Sequence, residues 1–175
     1  MTAKIKHFPG TSLSEKDFAE GKILFNYDEL KGDFAWDTGV GIGSYLAGLK
    51  AGKILGALCS TCRRIVVPPR TVCEWCFRPM DEYVELPDTG TVNTFSLCYV
   101  TWDVKRITEP EIPAVIHLDG TATLESGPVM GGILHLLGEV DPQEVKIGMR
   151  VQAVWKPVEE REGAITDIQY FKPMG

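Results

Sequence analysis

The chain has 175 residues, 44% of them hydrophobic, and a net charge of -6. That length suits one ordinary domain or two small modules, and the apolar share argues against disorder. An acidic balance disfavours a nucleic-acid binder, and three histidines leave little material for a multi-histidine metal centre.

Residues 1–52 carry the helical signals. Ser12 and Glu15 have capping-box spacing ahead of Phe18. Gly32 to Gly43 reads as a loop holding Phe34 and Trp36. Ser44 to Lys50 reads as a short helix with Tyr45, Leu46 and Leu49 on one side and Gly52 as its stop. Gly39, Gly41 and Gly43 precede that helix but lack the strand before and the Gly-Lys-Ser/Thr after that a phosphate loop needs. They are expected to form a loop packing on a partner.

Residues 53–80 hold four of the five cysteines. Cys59-Ser60-Thr61-Cys62 and Cys73-Glu74-Trp75-Cys76 are two C-x-x-C pairs ten residues apart. Each pair lets two thiolates converge on one ion, and two such turns complete a tetrahedral sulfur shell. Soft thiolates in that geometry favour Zn²⁺, with Fe as the alternative. Four protein ligands leave no position for an activated water, so the metal is expected to be structural. Ile65-Val66-Val67 before Pro68-Pro69 suits a short strand ending in a rigid turn.

Residues 81–175 read as strands and turns. Thr91 to Val100, Ala114 to Leu118, Thr121 to Leu124, Val129 to Leu137, Val151 to Trp155 and Ile165 to Phe171 are the strand candidates. Asp119-Gly120 is a turn, Asp141 to Met149 a turn or short helix, and Gly131-Gly132 a bulge or close backbone approach. This set fits a five-stranded OB barrel. The fold expected is therefore mainly β: an α-helical N-terminal arm, a zinc ribbon and a barrel.

Charge is unevenly placed. Residues 53–80 carry five basic residues against Glu74, while residues 81–175 carry seven basic and sixteen acidic, a net of -9. A single-strand-binding OB fold needs a positive groove, which this barrel lacks. Lys53, Arg63, Arg64 and Arg70 are candidate phosphate contacts, because guanidinium forks match phosphate oxygens. The competing reading has these arginines paired with the chain's own carboxylates. Trp75 and Phe77 are candidate interface anchors. Cys98 is read as a barrel strand thiol, and His117 and His135 as strand residues flanked by apolar neighbours. No spacing marks any of the three as catalytic.

The order of motifs resembles a known family. It is carried by Cys59, Cys62, Pro68-Pro69-Arg70, Cys73, Cys76, Gly90-Thr91-Val92, Leu118-Asp119-Gly120 and Ile147-Gly148-Met149. The family joins a rubredoxin-like zinc ribbon to a C-terminal OB fold, was long labelled a domain of unknown function, and is called acyl-CoA-associated. The resemblance implies a non-catalytic subunit that organises a thiolase-fold enzyme and helps house its acyl-CoA substrate. Relatives include the small subunit of benzoylsuccinyl-CoA thiolase, subunits of steroid side-chain aldolases, and bridges between a thiolase and hydroxymethylglutaryl-CoA synthase. Where many ribbons have glycine after the second pair, this chain has Phe77-Arg78. The alternative reading is a single-stranded nucleic-acid module. The absence of an apolar h-region in Met1 to Gly10, and of a long apolar run, makes a cytoplasmic chain with reduced thiols the expectation.

Overall fold

The computed structural model describes residues 14–22, 32, 34–80, 82–121 and 132–175. The chain divides into two units, Met1–Trp36 and Asp37–Gly175.

In the first unit, α1 spans Glu15–Ala19. Its start is marked by Ser14, whose N–H and Oγ both donate to the Asp17 carboxylate at 2.9 and 2.6 Å. The capping residue is thus Ser14 rather than Ser12, which lies outside the described residues. Phe34 and Trp36 form an edge-to-face pair with ring centroids 6.3 Å apart.

The second unit opens on α2, Gly39–Lys50. This helix starts five residues earlier than expected, so Gly39, Gly41 and Gly43 are helical rather than loop. Tertiary packing overrides their poor helix propensity. A Cβ at Gly41 would lie 3.2 Å from the Pro69 carbonyl, so glycine lets the helix sit directly on the ribbon backbone. Tyr45 and Leu49 are buried one turn apart. The helix ends in a Schellman motif: Gly52 N–H donates to Leu49 O and Lys53 N–H to Gly48 O, both at 2.9 Å. Gly52 takes φ 74°, as that turn requires.

Three strands follow: β1 (Ile54–Cys59), β2 (Arg64–Val66) and β3 (Glu82–Leu86). They form an antiparallel sheet of order β2-β1-β3. The knuckle carrying Cys59 and Cys62 joins β1 to β2. The second knuckle is pinched by an antiparallel bridge between Val72 and Pro79.

The barrel region contributes β4 (Thr89–Phe95), β5 (Cys98–Val100), β6 (Arg106–Glu111), β7 (Pro113–Leu118), β8 (Ile133–Leu136), β9 (Arg150–Trp155) and β10 (Ile168–Pro173). Five of these form one sheet of order β10-β9-β4-β7-β8. That order, taken through strands 5-4-1-2-3 of the five, is OB connectivity. The sheet does not close by a full ladder. Its seam is held by a parallel bridge between Leu137 and Phe171 and by the Gly138 N–H on Phe171 O at 2.9 Å.

The expected strand over Thr91 to Val100 is broken. β4 ends at Phe95, and among the described residues β5 pairs only with β6, outside the five-stranded sheet. Cys98 therefore belongs to a projecting hairpin and not to the barrel wall. The expected strand Thr121 to Leu124 lies largely outside the described residues, as does Gly131. Gly132 makes the close approach read from the sequence: a Cβ there would meet Ile116 O at 2.6 Å.

One core cluster joins Tyr45 and Leu49 of α2, Ile54 and Leu86 of the ribbon sheet, and Val92, Ile116, Val151, Ile168 and Phe171 of the barrel. A second, smaller cluster is built from Ala57, Cys59, Val66, Cys73 and Met80.

Candidate metal centre and its charged surround

The four knuckle cysteines converge. Their Sγ atoms all lie within 4.8 Å of one another. Cys59 Sγ is 3.5 Å from Cys76 Sγ, and Cys73 Sγ is 3.9 Å from Cys62 Sγ. A tetrahedral zinc with 2.3 Å bonds to sulfur sets sulfurs about 3.8 Å apart. The donor set and its spacing therefore fit a four-coordinate soft metal held entirely by protein.

The two knuckles have the same backbone plan. Arg63 N–H donates to Cys59 O at 2.7 Å, and Phe77 N–H to Cys73 O at 2.8 Å. Each closing residue takes a left-handed conformation, Arg63 at φ 53° and Phe77 at φ 55°. This is the conformation for which glycine is the usual choice. Cys62 N–H points at Cys59 Sγ at 3.4 Å, supplying a donor to one sulfur.

Crowding four thiols separates their acidities. Hydrogen bonding to Cys76, then burial, pushes the Cys62 thiol up to about 12. At Cys73, burial raises the pKa, but the backbone N–H groups of Cys76 and Trp75 outweigh it and bring the thiol down to about 7. A divalent cation at the centre removes the conflict by favouring all four thiolates.

Around the sulfurs runs a charged layer. Arg64 is 1% exposed, yet it is charged. Its Nη1 lies 2.8 Å from Glu74 Oε1, and its guanidinium carbon sits 3.9 Å from the Trp75 ring centroid. Glu74 also draws Arg70, at 3.8 Å. Arg64 on β2 thus fastens the first knuckle's strand to the Glu74-Trp75 pair inside the second knuckle. This corrects the grouping of Arg64 with the phosphate contacts: its head is buried and committed. Glu74 was legible only as the lone acid among five cations; its position pairs it with two of them, Arg64 and Arg70.

Comparison with known proteins agrees with this geometry. The family described as ChsH2, rubredoxin-like zinc ribbon domain matches residues 46–81, and the one described as ChsH2, C-terminal OB-fold domain matches residues 83–156. A DUF35 domain-containing scaffold protein of Methanocaldococcus jannaschii is 30% identical over 124 residues, spanning 69% of this chain and 82% of that relative. The chain belongs to the DUF35 family.

Two solved structures are similar to this DUF35 chain. A DUF35-family protein of unknown function from Sulfolobus solfataricus is 28% identical with a TM-score of 0.51, over 63% of this chain and 75% of that one. The Ltp2-ChsH2(DUF35) aldolase has a TM-score of 0.56 at 18% identity, over 81% of this chain and 98% of that one, which shows the shared fold.

The remaining candidates of the DUF35 chain are dispersed. Lys53, just before β1, pairs with Glu85 on β3 at 2.7 Å, both side chains more than half exposed. Arg63 and Phe77 are exposed at the closing positions of opposite knuckles. Arg70 lines a cleft of about 380 Å³ between the Pro69-Thr71 turn and the first turn of α2.

His135 is occupied on both ring nitrogens: Nδ1 accepts from Leu136 N–H at 2.9 Å, and Nε2 lies 3.3 Å from the Ile165 carbonyl. Burial is the main cause that holds its pKa below the ordinary histidine value. The ring thus serves β8 packing. His117 stands opposite Thr91 in the β4–β7 ladder, and Cys98 opposite Glu111 in the hairpin.

The three barrel motifs meet in space. Arg150 donates two hydrogen bonds to Asp119, at 2.7 and 2.6 Å, and a third to Thr91 at 3.0 Å. Thr89 Oγ1 donates to the same carboxylate. Gly148 N–H reaches Val92 O at 2.8 Å, and Val92 N–H reaches Met149 O at 2.9 Å. These contacts bind Gly90-Thr91-Val92, Leu118-Asp119-Gly120 and Ile147-Gly148-Met149-Arg150 into one structural corner.

Proposed function

We propose that this DUF35 chain is a non-catalytic accessory subunit of an acyl-CoA thiolase-type complex, with a structural zinc ion in its ribbon. The observation that carries this reading is the closed sulfur shell. Four protein ligands around one point leave the metal no place for water or substrate. His135 spends both ring nitrogens on backbone groups. The scaffold name of the archaeal relative and the two-protein name of the aldolase relative support an assembly role.

In this reading the thiolase-fold partner supplies the nucleophile and the acid-base groups. Residues 53–80 form the zinc ribbon and 81–175 the OB domain, and within the N-terminal segment 1–52 the helix α2 packs into the core that they share. Lys53, Arg63 and Arg70 are the proposed contacts for the phosphates of CoA, with Trp75 and Phe77 at the shared surface. Arg64 holds the ribbon together instead. The substrate class is an acyl-CoA; benzoylsuccinyl-CoA thiolysis is one specific case, and bridging a thiolase to hydroxymethylglutaryl-CoA synthase is the alternative assembly. A cytoplasmic location belongs to the same proposal; among the described residues no helix is long and apolar enough to cross a membrane.

Co-expression of the full chain with the thiolase-fold proteins of its own genome, followed by capture and intact-complex mass measurement, tests this. A defined hetero-oligomer is expected. A chain that remains alone with every such protein overturns the reading.

A further inference from the structure

The β5–β6 hairpin belongs to neither principal sheet. Among the described residues its strands pair only with each other. A lone two-stranded ribbon is marginal in water, because it has no layer on which to bury a face. This one nevertheless ends in large apolar side chains. Trp102 is 95% exposed and Val104 82%, with Tyr99 and Val100 half exposed below them.

The tip is held in shape by its own polar groups. Thr101 N–H donates to Lys105 O at 2.9 Å, Lys105 N–H returns to Thr101 Oγ1 at 3.1 Å, and Thr101 Oγ1 donates to Asp103. Val104 sits at φ 65°, a conformation that β-branched residues avoid. A turn free to choose would place a glycine or asparagine there. A rigid, strained turn that displays Trp and Val to solvent has the form of an interface anchor.

The base of the hairpin continues the same apolar surface. A cleft of about 270 Å³ runs beside Cys98, Phe95, Pro113 and Leu134, and a second of about 300 Å³ continues past Leu134 to Leu136 and Ile165. Leu134 and Leu136 lie on β8, the outer strand of the sheet, with Leu134 65% exposed.

We infer that the hairpin tip inserts into an apolar recess with a basic rim on the thiolase-fold subunit. This rests on the functional reading above and assigns the contact. Charge selects the occupant. The hairpin carries Asp103, Glu109 and Glu111 against Lys105 and Arg106, a net of -1 with Asp103 paired to Lys105 at 2.6 Å, and the domain that carries it has a net charge of -9. A second copy would bring a like-charged surface against it, whereas a cationic rim complements it.

The test measures binding between the purified zinc-loaded chain and the co-purifying thiolase-fold subunit, for wild type, Trp102→Ala and the double variant Trp102→Ala/Val104→Ser. Both side chains are exposed, so metal content and melting temperature are expected to be unchanged. Affinity is expected to fall by about 30-fold or more, as for a truncated interface anchor. Rising salt is expected to weaken the wild-type complex. Wild-type affinity in the double variant overturns the inference and leaves the functional reading standing. A wild-type chain that binds no thiolase-fold protein overturns both. A self-associated wild type that becomes monomeric on Trp102→Ala shows the occupant to be a second copy and overturns the inference.

Discussion

The guanidinium of Arg64 lies over the face of Trp75 and 2.8 Å from the Glu74 carboxylate, so each knuckle of the metal site is tied to the other by a route that bypasses the metal. Removing one partner of a buried pair strands the other charge. Arg64→Ala is expected to destabilise the zinc-loaded chain by about 3 kcal/mol and to speed metal loss to a chelator. The double variant Arg64→Met/Glu74→Gln, which removes both charges, is expected to recover much of that stability. Melting temperature and the rate of zinc transfer to a coloured chelator read both effects. An Arg64→Ala chain as stable as wild type contradicts the coupling.

Metal removal is expected to act locally first. Cys59 and Cys73 are two of the five buried residues in the small ribbon cluster, whereas the barrel has its own core. Elemental analysis should give one zinc per chain. After chelation, amide protection should vanish at Arg63 and Phe77 but persist at Val92 and Ala153 in hydrogen exchange. Uptake of the ion should release protons and weaken as pH falls, because the bound form needs four thiolates.

Phe77 pays a conformational cost for its place. It is 79% exposed at φ 55°. A left-handed conformation costs an L-residue roughly 1–2 kcal/mol, partly offset in a glycine variant by the freedom glycine has when unfolded. Phe77→Gly is therefore expected to leave stability unchanged or raise it by up to about 1 kcal/mol. Denaturant unfolding of the metal-loaded protein measures this. A loss of more than about 1 kcal/mol would mean that the ring packs in the isolated chain.

Asp167 supplies a pH dependence. Its buried carboxylate accepts N–H groups from Glu162 at 2.9 Å, Gly163 at 2.8 Å and Ala164 at 3.2 Å. Burial works to raise its pKa, but these three donors outweigh it, so the folded value lies below the ordinary aspartate value. The unfolded chain thus binds the proton more tightly. The contribution is fully present above that unfolded value and is lost as pH falls through the lower folded one. Asp167→Asn is expected to cost about 2 kcal/mol at neutral pH and to flatten the acid limb of the stability curve. An unchanged acid limb counts against this role.

Local chemistry was readable where the signal was local. The C-x-x-C spacing located the sulfurs, because ligand geometry is written in a few adjacent residues. Gly52 marked the end of α2 because a Schellman turn demands a positive φ. The start of α2 was not readable: Gly39, Gly41 and Gly43 argue against a helix until Pro69 is known to lie against Gly41. The break after Phe95 was also hidden. Thr91 to Val100 has strand composition throughout, and only pairing partners distant in sequence reveal that β5 departs with β6. The commitment of Arg64 likewise depended on burial, which a charge count cannot show. The pairing of Asp119 with Arg150 joins two motifs 31 residues apart that were legible singly but not as a unit.

The ribbon passes to the barrel by a two-residue elbow. β3 ends at Leu86 and β4 begins at Thr89. Within the elbow, Asp88 accepts the Trp155 indole N–H at 3.2 Å and the Gln152 amide at 3.3 Å, and its own carbonyl accepts Ala153 N–H at 2.8 Å. Leu86 before it is buried in the core that β1 and the barrel share. Such a junction has no slack. The spacing between the knuckle surface and the hairpin tip is thereby set by the fold, so two sites engaged by a partner must match one fixed interval. A linker would tolerate partners of many sizes; this elbow measures them.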